Sequence, residues 1–263
     1  MLKYMLAGAL ALAATAAHAA VVTPTDLQGW TAVNVNGAGS VAITDTYKPA
    51  GDTGSLEFST GGNSSKADFR HAVNGTLGDL LNGSLSFDYL VDSDSSVALH
   101  LAPAFRLAYT DDATGKSGYL IWEDVYNGGA SGTAVDFDTW VSNDILGGNF
   151  WMRAFGSPSV TIEKYSVTLA DWAGGVSFSN PNSHVLSGAT RITAVEVGVG
   201  SGWAGSFKGA VDNVNVSFGR TGTGVSANFE VGVVPEPATW GLMIVGFGAA
   251  GAVLRRRRET VAA

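Results

Sequence analysis

Short segments that alternate apolar and polar residues constrain the fold of this chain more than any other feature. In the stretch GSLSFDYLV, Leu85, Phe87 and Tyr89 share one face of an extended chain, and polar residues occupy the other. This period of two is typical of half-buried strands. The stretch just described spans residues 83–91, and the same period recurs at 97–101, 105–109, 160–169, 192–199 and 211–218.

Turn-forming residues separate these segments and complete the prediction of the fold class. Clusters rich in Gly, Asn and Asp lie at 61–63, 74–75, 82–83, 111–118 and 127–129, where such residues favour turns. Between residues 20 and 233, helical patterning is limited to single turns at 77–81 and 168–172. The sequence therefore predicts an all-β fold, an antiparallel two-sheet sandwich of jelly-roll type.

Charge and cysteine content exclude several classes of function. Without the two termini, the chain carries 10 basic and 21 acidic residues, so it repels phosphate and nucleic acid is not an expected partner. The sequence has no cysteine, which excludes disulfides, thiolate metal sites and a cysteine nucleophile. Polysaccharides and cations fit this charge better.

The N-terminus has the three parts of an export signal in their usual order. Lys3 supplies a positive charge, residues 4–17 are almost entirely apolar, and Ala17-His18-Ala19 presents small residues at a cleavage site. This order predicts a signal peptide at 1–19 and an exported protein. A buried N-terminal helix is the alternative interpretation.

The C-terminus predicts a membrane helix followed by a basic cluster. Residues 238–254 form an uncharged segment of 17 residues. This length is at the lower end of the roughly 17–25 residues that a spanning helix needs. The four bases that follow favour a cytoplasmic end for this helix. They are Arg255, Arg256, Arg257 and Arg258. Pro235 and Pro237 precede the helix and hold the chain extended, which leaves Pro-Glu-Pro accessible.

The C-terminus resembles the PEP-CTERM sorting signal of exopolysaccharide-producing Gram-negative bacteria. The resemblance rests on the motif Pro235-Glu236-Pro237, followed by Trp240, a glycine-rich apolar helix and the arginine cluster. The resemblance implies processing by exosortase, a membrane protease-transpeptidase, and delivery to the envelope, the outer surface or the biofilm matrix. Gly241 stands where the family commonly has Ala. The predicted domains are a signal peptide (1–19), a β-sandwich (20–233), the sorting signal (234–258) and a cytoplasmic tail (259–263). A plain membrane anchor is the alternative interpretation of the helix.

Four short motifs in the body resemble those of laminin-type and carbohydrate-binding β-sandwiches. They are Gly29-Trp30, GSLEF at 54–58, KADF at 66–69 and GAVDNV at 209–214. The resemblance implies a binding or structural module. By the same analogy, Asp212 near the last strand is a candidate ligand for one structural calcium ion. The acidic loops at 92–94 and 136–138 lack the spacing of an EF-hand.

No catalytic constellation is evident in the sequence. Glu123 and Asp124 are adjacent, so in a strand they would face opposite ways, and we interpret them as solvated turn carboxylates. Ser131 lacks the spacing of a nucleophile elbow. The three body histidines, His71, His100 and His184, lack zinc-ligand spacing. We read His100 as a sheet residue.

Tryptophans offer the best prediction of a binding surface, because an exposed indole can stack against a sugar ring. Trp122, Trp140 and Trp203 lie beside acidic or glycine-rich loops and are the candidate glycan contacts. The sequence thus predicts a non-catalytic exported surface or matrix protein that associates with exopolysaccharide or another glycan. The alternative is a secreted glycan hydrolase or lyase on a concanavalin-like sandwich.

Overall fold

The computed structural model describes residues 19–156, 160–162, 164–177, 184–200, 202–219 and 221–232, together with positions 244 and 247. The predicted signal peptide, the sorting signal with its membrane helix and the final tail lie outside these residues, apart from positions 19, 244 and 247. Within the described part of the chain, no helix combines the length and the apolar character needed to cross a membrane.

Strands account for most of the described secondary structure. They are β1 (Ala20–Val22), β2 (Thr31–Asn36), β3 (Ser40–Thr44), β4 (Ser55–Thr60), β5 (Lys66–Thr76), β6 (Ser84–Val91), β7 (Ala104–Asp111), β8 (Lys116–Trp122), β9 (Val141–Asp144), β10 (Trp151–Ala154), β11 (Val160–Ile162), β12 (Arg191–Gly200), β13 (Phe207–Ser217) and β14 (Val225–Phe229). Two short helices, α1 (Leu77–Leu80) and α2 (Leu169–Ala173), and a 3-10 turn at Asp124–Tyr126 are the other elements of the described residues.

The strands form two seven-stranded sheets, which confirms the predicted all-β two-sheet sandwich. One sheet has the order β11-β10-β8-β7-β12-β5-β2. The other has the order β1-β14-β13-β4-β3, with β6 paired to β13 and β9 paired to β6. Neighbouring strands are antiparallel except for β1 and β14, which are parallel. Long-range pairing therefore brings strands from both halves of the sequence into each sheet.

The core lies between the two sheets and is rich in aromatic rings. Phe87 on β6 and Phe105 on β7 are fully buried, and their ring centroids are 5.4 Å apart. Burial of one such side chain contributes about 1.5–3 kcal/mol. The alternate residues of each strand point away from this core, which leaves an outer face on each sheet.

Most of the predicted strands and both helical turns are confirmed. The segments 83–91, 105–109, 192–199 and 211–218 overlap β6, β7, β12 and β13. The helical turn at 77–81 is α1, and the turn at 168–172 is α2. Each helix begins with a capping box, formed by Thr76 with Asp79 and by Thr168 with Asp171.

Three local predictions are wrong, and in each case a specific contact explains the difference. Residues 97–101 form turns, closed by a hydrogen bond from the Leu101 amide to the Ala98 carbonyl, so His100 is not in a strand. Among the described residues of the segment 160–169, only 160–162 form a strand, because a turn at 165–166 and the Thr168 cap of α2 follow. The predicted turn at Asn74-Gly75 lies inside β5.

Gly75 pairs with Ile192 of β12 inside the sheet, and the ring of Phe218 packs against its backbone. A Cβ atom on Gly75 would lie 2.2 Å from Cδ1 of Phe218, which is itself buried. The glycine therefore marks a close approach between the sheets and not a turn.

We predict that Gly75→Ala lowers the free energy of unfolding by about 1–3 kcal/mol, because overpacking of a rigid aromatic contact forces the neighbours to shift. Thermal or urea unfolding of the purified protein measures this change. Gly147→Ala is the matched control, since a Cβ atom on Gly147 would have no neighbouring atom within 4 Å. Equal stability of the two variants would contradict the prediction.

Candidate functional site

A small pocket opens on the outer face of the sheet that contains β7, β8 and β12. We name it the Arg106 pocket. Its lining residues are Lys66, Arg106, Ile121, Glu123, Trp151, Arg153, Gly200 and Trp203. Its volume of about 180 Å³ is below the roughly 300–1,000 Å³ typical of sites that enclose a drug-sized ligand. The pocket is therefore sized for part of a larger molecule.

The strand register explains why these side chains meet. Arg106 on β7 lies opposite Ile121 on β8 and opposite Glu196 on β12. Trp151 on β10 lies opposite Ile121 on its other side. These residues alternate with core residues along their strands, so they form one row across the outer face.

A network of buried charges forms the floor of the Arg106 pocket. Nη1 of Arg106 lies 2.6 Å from Oδ1 of Asp68 and 3.4 Å from Oε1 of Glu196. Nζ of Lys66 lies 2.6 Å from the other oxygen of Asp68. Both carboxylates are 0% exposed. Removal of one partner from such a pair costs about 3–5 kcal/mol, since the other charge is left buried and unpaired.

Neutral donors and one glycine complete this network. The Asn34 amide donates to Asp68 over 3.0 Å, and the Tyr119 hydroxyl donates to Glu196 over 3.2 Å. Burial raises the pKa of Glu196, although the nearby Arg106 guanidinium lowers it. A Cβ atom on Gly198 would lie 2.1 Å from Oδ1 of Asp68, so a glycine is needed there for the ion pair to form.

Glu123 and Trp151 form a partly buried polar contact on the pocket lining. The Trp151 indole N–H donates to Oε2 of Glu123 over 3.0 Å. Burial raises the pKa of Glu123, against the lowering effects of the Trp151 hydrogen bond and the Arg106 charge. The interpretation of Glu123 as a solvated turn carboxylate is therefore wrong, because the pocket half-buries it at the end of β8.

The three predicted tryptophans lie in different environments. Trp122 is 3% exposed and packs edge-on against Phe87 in the core, so the prediction that it is an exposed glycan contact is wrong. Its position on β8 alternates with Ile121, which faces outward, and this alternation places the ring inside. Trp203 is mostly buried but lines the Arg106 pocket. Trp140 is half-buried and lies outside the pocket lining.

Sequence reasoning missed the residues that the pocket brings together. Lys66, Arg106, Trp151 and Arg153 were not singled out as site residues, although each lies at an outward position of an alternating strand. That alternation gives the face of each residue. It does not give the pairing of β10, β8 and β7, which joins these residues into one surface.

Asp212, the predicted metal ligand, is fully buried in the middle of β13, an interior strand of the other sheet. Its Oδ1 accepts hydrogen bonds from the backbone amides of Asn213 at 2.7 Å and Phe229 at 2.9 Å. Within the described residues, no donor reaches its Oδ2. Burial raises the pKa of Asp212 to about 8, and the charges of Asp52 and Glu230 contribute to this rise.

The surroundings of Asp212 supply further oxygen atoms. Glu230 is also buried, and its Oε2 accepts hydrogen bonds from the amide and the hydroxyl of Thr53 at 2.5 Å. The side-chain oxygen of Asn228 is buried without a partner among the described residues. Across the same part of the chain, no group of three or more His, Asp or Glu side chains is arranged to hold a metal ion. A cation at Asp212 would therefore need carbonyl oxygens as well, and carbonyl oxygens are common ligands of calcium.

Several solved structures are similar to the sandwich at low identity. A structure of carbohydrate-binding modules from the β-sandwich superfamily is 15% identical with a TM-score of 0.37, and the match covers 72% of this chain and 56% of that one. The family 11 carbohydrate-binding module of a cellulosomal cellulase of Clostridium thermocellum is 12% identical with a TM-score of 0.36, over 72% of this chain and 87% of the module. An exo-β-agarase is 11% identical with a TM-score of 0.36, over 72% of this chain and 23% of the enzyme.

The sequence comparisons concern the tail. No curated protein matches the sequence. Residues 233–258 match the family described as the PEP-CTERM protein-sorting motif, which confirms the resemblance predicted from the Pro-Glu-Pro, the apolar run and the arginines. This motif implies an exported protein that is sorted to the cell surface and processed by exosortase. The chain thus contains an all-β sandwich and, after it, a PEP-CTERM sorting motif.

Proposed function

We propose that this protein is a non-catalytic surface or extracellular-matrix protein that binds glycan in the Arg106 pocket. Export and sorting follow from the C-terminal motif at 233–258. Exosortase processing would remove the membrane helix and release or attach the sandwich at the surface, in the exopolysaccharide of a Gram-negative bacterium. The ligand expected there is a polysaccharide.

The observation that carries the proposal is the pairing of Trp151 with Glu123 in the pocket. A sugar ring has apolar C–H faces and polar hydroxyl edges, so its sites combine aromatic rings with fixed polar groups. Trp151 supplies a partly exposed indole, fixed by its 3.0 Å hydrogen bond to Glu123. Trp203 provides a second indole on the same lining. The small volume suits one ring of a longer chain.

A non-catalytic role is favoured by the arrangement of the acids. Hydrolysis of a glycosidic bond typically needs two carboxyl groups that flank it, roughly 5–10 Å apart. Among the lining residues, Glu123 is the one carboxylate. Asp68 and Glu196 are fully buried, paired with Arg106 and absent from the pocket lining. They are therefore held in ion pairs and not presented to a ligand.

A glycan hydrolase or lyase is the second candidate function, and Glu123 is the observation that favours it. A carboxyl group whose pKa is raised by burial is suited to act as a general acid. For this candidate the catalytic residue would be Glu123, with the pocket orienting the chain.

We predict that Trp151→Ala weakens glycan binding at least about tenfold, which corresponds to about 1.4 kcal/mol. Affinity electrophoresis of the processed protein through gels that contain the host's exopolysaccharide measures this loss. Trp140→Ala is the matched control, because Trp140 lies outside the pocket lining. Loss of retention in the Trp140 variant alone would contradict the assignment to the Arg106 pocket.

The two candidate functions differ in a second measurement. The non-catalytic role predicts that the wild-type protein releases no new reducing ends and no unsaturated products from a glycan that it retains. If the wild type releases products and Glu123→Gln abolishes the release while retention persists, the protein is an enzyme and the non-catalytic proposal fails.

We also propose that Asp212 is a ligand of one structural calcium ion. The support is its unpartnered Oδ2, the nearby charge of Glu230, and the unpartnered side-chain oxygen of Asn228, whose neighbour Phe229 donates its amide to Asp212. Carboxylate and carbonyl oxygens are the ligands that calcium prefers. In such a site calcium would replace the proton that the raised pKa places on Asp212 at neutral pH.

This proposal predicts a definite pH dependence. The pKa of Asp212 is 3.8 in the unfolded chain and about 8 in the folded protein. The folded state therefore binds the proton more tightly, and stability without calcium falls as pH rises between these values, by at most about 1.4 kcal/mol per unit. Added calcium should raise the melting temperature more at pH 8 than at pH 5.

Variants at Asp212 test the source of this dependence. Asp212→Asn should flatten the pH profile and remove the effect of calcium, because it removes both the proton and the anionic ligand. Asp45→Asn, at an exposed position, should leave both unchanged. An equal response to calcium in the wild type and the Asp212 variant would contradict the proposal.

A further inference from the structure

We propose that the Arg106 pocket selects an acidic sugar, one whose ring carries a carboxylate, and that Arg153 binds this carboxylate. This inference rests on the proposed glycan-binding function and specifies its substrate class. It follows from where positive and negative charges lie in the pocket.

The charges of the pocket differ in their access to a ligand. Asp68 and Glu196 are 0% exposed and do not belong to the pocket lining. Lys66 and Arg106, which pair with them, do line the pocket. A ligand that enters therefore contacts the ammonium and guanidinium groups and not the two buried carboxylates.

Arg153 adds a third cation to the pocket wall. It lies on β10, two residues after Trp151, so both side chains are on the outer face. The Arg153 side chain is exposed, and no carboxylate of the described residues forms an ion pair with it. Its planar guanidinium matches the two oxygens of a carboxylate in a bidentate pair.

This concentration of bases stands out because the body of the protein is acidic. Three of the ten bases in that body line one small pocket, although acids outnumber bases by 21 to 10. At physiological ionic strength, charges separated by more than about 8 Å are largely screened. The distant acids therefore have little effect on the pocket. Because Asp68 and Glu196 already balance Lys66 and Arg106, Arg153 is the cation of the lining that can attract the charge of a ligand.

Glu123 determines where the ligand carboxylate lies. Its own carboxylate is engaged by the Trp151 indole N–H on the lining of the same pocket. Two carboxylates repel each other, so an acidic sugar would direct its carboxylate toward Arg153 and its hydroxyl groups toward Glu123. The pocket thus distinguishes the two edges of one ring.

Pairs of polymers that differ only in their carboxyl groups test this inference on the processed protein. Polygalacturonate and fully methyl-esterified pectin form one such pair, and alginate and carboxyl-reduced alginate form another. We expect at least about tenfold tighter binding to the acidic member of one pair, by affinity electrophoresis at 0.15 M salt. Dextran sulfate serves as a probe of unspecific charge attraction.

Two arginine variants with the same change in net charge provide the matched comparison. Arg153→Gln should lose most of the preference for the acidic polymer while its melting temperature stays unchanged. Arg191→Gln should keep the preference, because Arg191 lies outside the pocket lining and pairs with Asp112 at 2.8 Å. Arg153→Lys should retain part of it, since one ammonium replaces the guanidinium.

The outcomes separate this inference from the proposed function. If the wild type binds both members of each pair equally and Trp151→Ala loses this binding, the acidic-sugar inference is overturned and the glycan-binding function stands. The inference is also overturned if dextran sulfate binds as tightly as the acidic polymers and both arginine variants weaken this binding to the same extent. If neither these polymers nor the host's exopolysaccharide bind, the proposed function itself fails.

Discussion

The buried ion pairs of Arg106 are the interaction on which the outer face of the sandwich depends. Asp68 and Glu196 lie on adjacent strands, β5 and β12, and neither reaches solvent. Two unpaired carboxylates in such a place would oppose folding, because burial of an uncompensated charge is costly. Arg106 on β7 pairs with both of them. It thereby stabilises the sheet and places a cation at the floor of a pocket.

The same arrangement links stability to recognition. The floor is fixed by ion pairs, by the Asn34 and Tyr119 hydrogen bonds, and by the space that Gly198 leaves. The wall above it carries groups with fewer internal partners, above all Trp151 and Arg153. Rigid strands therefore hold the polar groups in place, and a ligand can bind without the cost of ordering a loop. Removal of Arg106 would affect both properties, whereas changes at Arg153 separate them.

The sequence predicted the sandwich and the sorting motif well, because both depend on local patterns. The alternation in GSLSFDYLV corresponds to β6, and the helical turns predicted at 77–81 and 168–172 correspond to α1 and α2. The pocket was not predicted, because Lys66, Arg106 and Trp151 lie on strands far apart in sequence and meet only through strand pairing. The exposure of Trp122 was mispredicted for the same reason. Its loop neighbours suggested exposure, but its position in β8 places the ring in the core.

The central claim is that glycan binds in the Arg106 pocket, and the indole signals of the tryptophans test it most directly. In ¹H–¹⁵N spectra of the processed protein, titration with oligosaccharides of the host's exopolysaccharide should shift the signals of Trp151 and Trp203. The signals of Trp30 and Trp172, both buried away from the pocket lining, should stay in place. The account is contradicted if only the indole signal of Trp140 shifts. It is also contradicted if the spectra do not change in the presence of a glycan that the protein retains.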